Sequence, residues 1–561
     1  QVIDFDGTMI NVPQQFAGLA AEEARKHVLG ALKAAELLRG ETNIEHAVGH
    51  CYKCGSIIQP LIKDQWFIRM EPLAQEAIKA IEAGKVTFYP EARGKQLINY
   101  LGNIRDWNLS RQIPWGIPIP AFQSETDPND WIFDERVDEP HIMVNGTRYY
   151  REEDTFDTWF TSGQWPFITT DYLAGGDLAR FYPNAVMETG HDILYPWVSR
   201  MIMLGLKITG QVPFKHVYLH GLVLDEHGQK MSKSKGNVIN PIETLSEYGS
   251  DALRLGLVAA RSAGQDQAFS TTKVVAGRNF CNKLWNIARF IEDKLGDTYA
   301  MQEAAPVTLA DHWVRRELDQ AAAHIESLLG EYRFAEASEV VYHTIWSVVA
   351  DWYIEASKQQ DNPDMLAWVL DTCLKIAHPF APFVTETIWQ TLPWYKEGSL
   401  LIRADWPSGA SYNKIAAGEF ERVQQLVSEI RFVSSELPGN QKYTVSYHSD
   451  SLVEDNADLI KKLARLQAIE QTDQPRGLRL ANSGREAWLV IDEETLYEHQ
   501  SNLEVRLAEA KARLKNLAAR LANDRYVMQA PAELVEQSRN DAEETKQLIE
   551  RLANELQVIT D

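Results

Sequence analysis

The chain has 561 residues, 45% of them hydrophobic, which is too long for one core and rich enough to fill three or four. Its net charge of −23 argues against a general nucleic-acid binder but not against an enzyme that reads one RNA through local basic patches, with an affinity that falls as salt rises. No run of about 18 apolar residues predicts a membrane span, and four cysteines in this length make no disulfide framework, so a reducing cytoplasm is the expected setting.

The start, Gln1 to Gly7, has neither the basic region nor the apolar core of a signal peptide. Asp4-Phe5-Asp6-Gly7 predicts a turn between strands, and Ala20 to Leu38 a helix. No initiator methionine, glycine-rich phosphate loop or His-x-Gly-His appears ahead of the lysine-rich segment described below. The chain therefore reads as the later part of a longer protein. His50-Cys51-Tyr52-Lys53-Cys54-Gly55 carries half of a zinc knuckle. Zinc needs four ligands; Cys281 and Cys373 lie far along in helical contexts, and His50 is a third candidate without a convincing fourth. The expectation is no bound metal, with Cys51 and Cys54 only half a zinc site.

Gln65-Trp66-Phe67-Ile68 predicts a buried strand. Asn103 to Gln112 and Pro114 to Pro120, rich in Trp, Arg and Pro, predict an ordered irregular connector. Residues 121–150 are polar and turn-rich, in the manner of an insertion. In Asp154 to Gly163 the indole of Trp159, beside small polar residues at a strand end, suits either an apolar ligand pocket or plain core. Ala185 to Leu194 gives strand, glycine turn, acid and helix start. That is how a doubly wound sheet presents a carboxylate, here Asp192, to a ribose hydroxyl. A helix N-cap is the other reading of Asp192. The helix that follows should run to Leu206.

Val217 to Leu224 predicts another apolar strand, turned by Asp225-Glu226-His227-Gly228. Next comes Lys230-Met231-Ser232-Lys233-Ser234-Lys235-Gly236-Asn237. Lysine point charges, serine hydroxyls and the free N–H groups of a glycine-containing loop all suit phosphate oxygens. Asn240-Pro241 is an N-cap with proline at the first helical position, and Ser250 caps a helix from Asp251 to Ala260. The loop thus lies between a strand end and a helix, where open α/β sheets bind ligands.

From Lys273 the pattern is helical: Asn279–Leu295, Trp313–Leu329, Phe334–Gln359 and Met365–His378, a bundle. Arg278, Asn282, Lys283 and Trp285 mix basic, polar and aromatic groups as an RNA-reading face needs. Residues 417–495 predict a small α+β element. Leu503, Leu507, Ala510, Leu514, Leu517 and Leu521 alternate at spacings of four and three. So do Val535, Ser538, Ala542, Thr545, Ile549, Leu552, Leu556 and Ile559 after the break at Ala530-Pro531. Together they predict an antiparallel coiled-coil hairpin.

Four motifs carry a resemblance: Asp64-Gln65-Trp66-Phe67, Asp157-Thr158-Trp159-Phe160, Thr189-Gly190-His191-Asp192-Ile193 and Lys230 to Asn237. With the helix Gly277–Asn286, the stretch His378-Pro379-Phe380-Ala381-Pro382-Phe383 and the hairpin, the chain resembles the later two-thirds of the bacterial valyl-tRNA synthetases, within class I. The resemblance implies an α/β fold: the second half of a class I Rossmann-like catalytic domain, then a helical anticodon-binding bundle and a coiled-coil arm. The divisions it implies are 1–45 (end of an editing insert), 46–270 (catalytic), 271–416 (anticodon-binding), 417–495 (α+β linker) and 496–561 (tRNA-binding arm).

It further implies ATP with Mg²⁺, valine and valine tRNA as reactants, and a monomer. Lys230 and Lys233 hold the leaving phosphates, with Met231, Ser232 and Ser234 completing the ATP loop. Gly190 and Asp192 bind the ribose, and His220 and Gly221 lie near the adenine. Trp159 and Ile193 wall the valine pocket, and Arg278, Asn282, Lys283 and Trp285 face the tRNA. Such a pocket cannot strongly reject threonine, a pair that itself illustrates the limit of apolar discrimination. The family's HIGH signature is absent, so the chain by itself is expected not to form the adenylate. Gly163-Gln164 stands where the family more often has Ala-Leu. Two alternatives remain: an isoleucyl enzyme, which the stretch Pro114–Pro120 also fits, and a non-catalytic tRNA-binding protein derived from a synthetase.

Overall fold

A glutamate-rich first turn and a run of Ala, Leu and Lys make Ala21–Ala34 (α1) the first helix. It stops short of Leu38 because Glu36 adopts a left-handed conformation (φ 57°) and turns the chain back, with Leu37 N–H donating to Leu32 O at 2.9 Å. Ahead of it, the turn at Asp4–Gly7 is closed by Asp4 N–H to Thr8 O, between the bridged residues Ile3 and Met9. The structure is a computed structural model. It describes residues 1–561 except 52–53, 60, 233–234, 260–262, 360–361, 438–440, 475, 481–482, 524–525, 527–531 and 561. The chain divides into two units, Gln1–Leu219 and His220–Asp561.

In the first unit, Glu71–Glu82 (α2) starts with proline in its first turn and buries Ala74, Ala77 and Ala80 on one face. Then come strand Thr87–Tyr89 (β1) and helix Ala92–Gly102 (α3). The stretch 121–150, polar and turn-rich in sequence, forms a four-stranded antiparallel sheet: Ala121–Ser124 (β2), Trp131–Phe133 (β3), His141–Val144 (β4) and Thr147–Arg151 (β5), in the order β3-β2-β5-β4. Phe122, Ile142 and Tyr149 give it a core of its own. Helix Thr158–Ser162 (α4) follows, then strand Asn184–Gly190 (β6), helix Ser199–Thr209 (α5) and strand Phe214–His220 (β7). The sheet order is β6-β7-β1, with β7 parallel to β1 in the register Val217↔Phe88. Phe88, Leu97, Val198, Met201, Ile202, Phe214 and Val217 are buried around it, the mixed α/β layering of a wound sheet.

The predicted buried strand Gln65–Ile68 is corrected. Only Phe67 and Ile68 pair, with Asn108 and Trp107, and Phe67 is exposed. It is Trp66 that turns inward, meeting Trp131 and Phe133 edge-on at 5.0 and 6.0 Å. The single strand predicted over Val217–Leu224 is two, because the chain breaks pairing after His220. Val223–Leu224 (β8) pairs elsewhere, in parallel with Gln267–Ala268 (β9).

The second unit continues with Pro241–Tyr248 (α6), capped by Asn240 as predicted, its side chain accepting from Ile242 N–H. Ser250 is not a cap. Gly249, at φ 91°, takes that position, and Ser250 opens helix Ser250–Val258 (α7). Helices Thr271–Leu295 (α8) and Leu309–Gly330 (α9) follow. Then Phe334–His343, the π-helical Thr344–Tyr353 and Ile354–Ser357 run on as one rod (α10). Pro363–Ala377 (α11), Pro382–Thr391 (α12) and Lys414–Glu436 (α13) complete the bundle. The α+β element has strands Thr444–Tyr447 (β10), Ala468–Gln471 (β11), Leu478–Arg479 (β12) and Ala487–Val490 (β13). They lie in the order β11-β10-β13-β12, with helices Ser451–Asp455 (α14) and Ala457–Leu463 (α15) between β10 and β11. Bundle and element share one continuous core, from Phe280 and Val314 to Val445 and Leu489.

The tail is a helix pair, Glu493–Leu521 (α16) and Ala532–Thr560 (α17). The predicted seam is buried at Leu503, Ala510, Leu517, Val535, Ser538, Ala542, Thr545 and Leu552. Arg513 lies 3.9 Å from Asp541 and the Tyr526 hydroxyl 3.0 Å from Ser538, the pairing of an antiparallel hairpin. The side chain of Ile559 lies outside the described residues. Among the described residues, no helix is long and apolar enough to cross a membrane.

Candidate functional site

The residues expected to bind nucleotide fall in both units. In the first, β6 ends on buried Thr189 and Gly190, and one 3₁₀ turn, His191–Ile193, leads into the helix that becomes α5. Gly190 is the cap of that turn, and Asp192 sits inside it with its carboxylate at the surface, so the N-cap reading of Asp192 does not hold. An acid just past the carboxyl end of a strand is where wound sheets meet a ribose.

Trp159, the second residue of α4, is half-buried against the core of this unit. Asp157 fixes it. One oxygen of its buried carboxylate accepts from Trp159 N–H at 3.2 Å. The other accepts from Trp107 Nε1–H at 2.9 Å and Arg111 Nη2–H at 2.6 Å. Arg200 of α5 stacks 3.7 Å over the Trp107 ring, with Nη1 buried and 3.9 Å from Asp157. Burial lowers the Arg200 pKa, and Asp157 opposes that shift. Trp197 Nε1–H donates to Ser162 O at 3.1 Å, tying the end of α4 to the helix after Gly190. Gly163 has a packing reason: a Cβ there would stand 2.9 Å from both Leu204 Cδ1 and Trp159 O.

In the second unit, His220 Nδ1 is 2.9 Å from Gly221 O. Gly221 is buried where a Cβ would lie 1.6 Å from Gln265 O, a crossing open only to glycine. The lysine loop follows β8 on a frame that the sequence did not reveal. Asp225, buried, accepts at Oδ1 from His227 N–H (3.0 Å) and Gln229 N–H (2.7 Å). Its Oδ2 accepts from Asn237 Nδ2–H at 2.8 Å. Asn237 Oδ1 accepts in turn from Ser232 N–H at 2.9 Å, and Nδ2 reaches Lys230 O at 3.3 Å. Met231 Sδ meets Ile239 N–H at 3.5 Å. The two ends of the loop are therefore stapled together beneath it, with Gly236 left-handed at φ 69°. These donors, Gln229 N–H first, hold the Asp225 pKa below the usual carboxylate value. Lys230 lies at the surface. Lys233 and Ser234 lie outside the described residues. The signal for this staple was an acid and an amide flanking the lysines, 12 positions apart.

On α8, Arg278, Asn282 and Trp285 are exposed at spacings of four and three, so they share one face. Lys283 points aside from them, half-buried, 3.1 Å from Asp351 and 5.1 Å from the Trp346 ring. Trp346 stacks on Tyr342 at 5.5 Å, and Tyr342 on Phe280 at 5.4 Å, a column not anticipated from sequence.

At the cysteine pair, His50 Nδ1 is engaged 2.7 Å from Gly55 O, and Cys54 Sγ lies 3.4 Å from Ser56 Oγ. That hydroxyl pulls the exposed Cys54 thiol down to about 7. Tyr52 and Lys53 lie outside the described residues. Among the described residues no group of three or more His, Cys, Asp or Glu side chains gathers as a metal site.

Three family models match the chain. Class I tRNA synthetases for Ile, Leu, Met and Val match residues 25–270, the anticodon-binding domain of tRNA ligases matches 311–445, and the valyl-tRNA synthetase tRNA-binding arm matches 496–560. A valine–tRNA ligase from Carboxydothermus hydrogenoformans is 36% identical over 96% of this chain and 64% of its own length. One from Petrotoga mobilis is 34% identical over 98% of this chain and 66% of its own, and one from Symbiobacterium thermophilum 42% identical over 70% and 44%. The chain thus spans slightly less than two thirds of the length of the first two relatives. With the catalytic, anticodon and arm matches in order along it, the chain belongs to the valyl-tRNA synthetase family of class I aminoacyl-tRNA synthetases.

Proposed function

We propose that the chain carries the lysine-loop, anticodon-bundle and arm parts of a valine–tRNA ligase, an activity that activates valine with ATP and transfers it to valine tRNA. The observation that carries this is the lysine loop, stapled at its base by Asp225 and Asn237 between β8 and α6. A pure RNA binder has no need of a preorganised phosphate loop. The valyl arm match and the valine–tRNA ligase relatives favour this reading over an isoleucyl enzyme.

In the first step the valine carboxylate attacks the α-phosphorus of ATP, and the bond to the β-phosphate oxygen breaks. Pyrophosphate leaves with the electron pair. Lys230 and Lys233 neutralise the charge that builds on the departing phosphates, and Ser232, Ser234 and the loop N–H groups direct it. Magnesium accompanies ATP and takes its ligands mainly from phosphate and water. Gly190 lets the chain approach the nucleotide, Asp192 accepts from a ribose hydroxyl, and His220 and Gly221 flank the adenine. Trp159 and Ile193 wall the aliphatic pocket. In the second step a hydroxyl of the terminal tRNA ribose attacks the acyl carbon, AMP leaves, and α8 and the arm hold the tRNA. Catalysis is positioning and charge stabilisation throughout. The protein acts as a monomer in the cytoplasm.

Two measurements test the proposal. Filter binding should show a preference for valine tRNA over isoleucine tRNA; the reverse preference would assign the chain to isoleucine. Equal, weak binding to both tRNAs would mean that the RNA-reading parts do not work by themselves, and would overturn the valine assignment of the bundle and arm. Valine-dependent ATP–pyrophosphate exchange should be absent from the chain by itself; detecting it would overturn the expectation drawn from the missing HIGH signature.

A further inference from the structure

We infer that a cleft between the helical bundle and the α+β element is a phosphate-binding site, supplied by the RNA backbone. The cleft encloses about 890 Å³, within the range of about 300–1,000 Å³ usual for ligand sites. Lys283 on α8 and Asp351 and Glu355 on α10 form one wall; Arg431 on α13, Lys442, Lys462 and Arg465 form the other. Lys462 and Arg465 lie between the anticodon-domain match, which ends at 445, and the arm match, which begins at 496. The inference rests on the reading of the chain as a tRNA-binding synthetase, and it gives the α+β element a binding role in place of a linker.

Charge makes the first argument. In a chain of net charge −23, five cations and two carboxylates line this cleft. Asp351 pairs with Lys283 at 3.1 Å and Glu355 with Lys358 at 2.6 Å, and both also act on Arg431. Lys442, Lys462 and Arg465 have no carboxylate partner among the described residues. Arg465 is a further cause, after burial, of the lowered Arg431 pKa, and Asp351 and Glu355 oppose it. Like charges left facing one another are what an anion repays.

Preorganisation makes the second. Arg431 donates from Nε and Nη2 to Leu463 O at 2.9 and 2.7 Å, and its guanidinium lies 5.0 Å over the Trp352 ring. It is fixed before any ligand arrives. Arg465, just past the end of α15, is held left-handed at φ 56°, its N–H donating to Lys462 O at 3.2 Å. Glycine or asparagine would hold that position at lower cost. An arginine there lines the cleft with a cation where a smaller residue would end the helix at lower cost.

The test uses the full chain, with valine tRNA in filter binding across a salt series. The variant K442Q/K462Q/R465N removes three charges, and asparagine suits the left-handed position. We expect affinity to fall about tenfold or more, and the log–log salt slope to drop by about two, with a melting temperature unchanged or raised. The control K79Q/K85Q/K95Q makes the same net change on exposed residues of the first unit and should leave both nearly unmoved. If the unaltered chain binds tRNA and the cleft variant matches it in affinity and slope, the inference is overturned. If the unaltered chain binds no tRNA, the tRNA reading itself fails, and the RNA source with it. Calorimetry with inorganic tripolyphosphate separates the sources. Tight tripolyphosphate binding that the cleft variant loses, with tRNA binding unmoved, would assign the cleft to a free phosphate compound and overturn the RNA backbone.

Discussion

Two carboxylates do most of the local organising, and each yields a prediction. Asp225 sets the geometry of the lysine loop through Asn237. Under the proposed function, and with the HIGH-bearing segment supplied, Asn237→Ala should therefore slow valine-dependent exchange by about 10- to 100-fold, the cost of a loop group displaced by about 1 Å. It should also raise tryptic cleavage at Lys230 and Lys235 without shifting the thermal melt. Unchanged exchange with faster cleavage would separate the staple from catalysis. Asp157 is the other. It satisfies the Trp107 indole, the Arg111 guanidinium and the start of α4 at once, with Arg200 beside it. Asp157→Ala would leave those donors stranded and should cost about 3 kcal/mol in urea unfolding, as removing one partner of a buried pair does. Asp157→Asn keeps the shape and one acceptor, so it should cost clearly less while raising the KM for valine through Trp159. Equal losses for the two substitutions would mean that shape and the retained acceptor carry nothing and the charge carries the effect.

Among the elements, α9 shows how local chemistry is reused at longer range. Thr308 and Asp311 form a capping box, and the same Asp311 accepts from the Tyr353 hydroxyl at 2.9 Å and Asn362 Nδ2–H at 2.9 Å, tying α9 to α10 and α11. Thr308→Ala should cost about 1 kcal/mol, an ordinary cap loss, whereas Asp311→Ala should cost more because three elements lose a partner. Comparable ΔG values from urea titrations of the two variants would contradict that. The contrast also explains what the sequence made legible. Asn240-Pro241 declared its helix because cap and proline act within three residues, and the heptads of the tail declared their seam. The cap at Gly249 hid behind a serine that looked better suited. The burial of Gln65–Ile68 was misread because Trp66 finds its partners, Trp131 and Phe133, in a sheet whose turns outweigh its strands in the sequence. At the site, the lysines of the loop were legible as residue types suited to phosphate. The Asp225–Asn237 staple and the Lys283–Asp351 pair were not, because nothing local links residues 12 or 68 positions apart.

For the molecule as a whole, 79 acidic against 56 basic residues mean that acidification to the isoelectric region relieves self-repulsion. Working against that relief are histidines held neutral by burial. His499, 5% exposed at the root of the arm, has its pKa lowered below 6.5 by desolvation. Glu436 opposes the shift and Arg506, ion-paired to Glu436, adds to it. The sign follows from proton uptake. Between the folded pKa and the unfolded value near 6.5, the unfolded chain binds the proton and the native chain does not. The contribution of His499 to stability is thus complete above about pH 6.5 and is lost as pH falls through the folded pKa. Glu555, half-buried on α17 beside Arg551, carries the opposite sign, since burial raises its pKa and protonation on acidification favours the fold. A single melt against pH mixes these terms, so the comparison is between chains. His499→Gln cannot take up a proton and should lose less melting temperature between pH 7.5 and 5.5 than the unaltered chain, whatever its stability at neutral pH. Parallel melting curves for the two across that range would show that the buried imidazole does not govern the acid response of the arm's root.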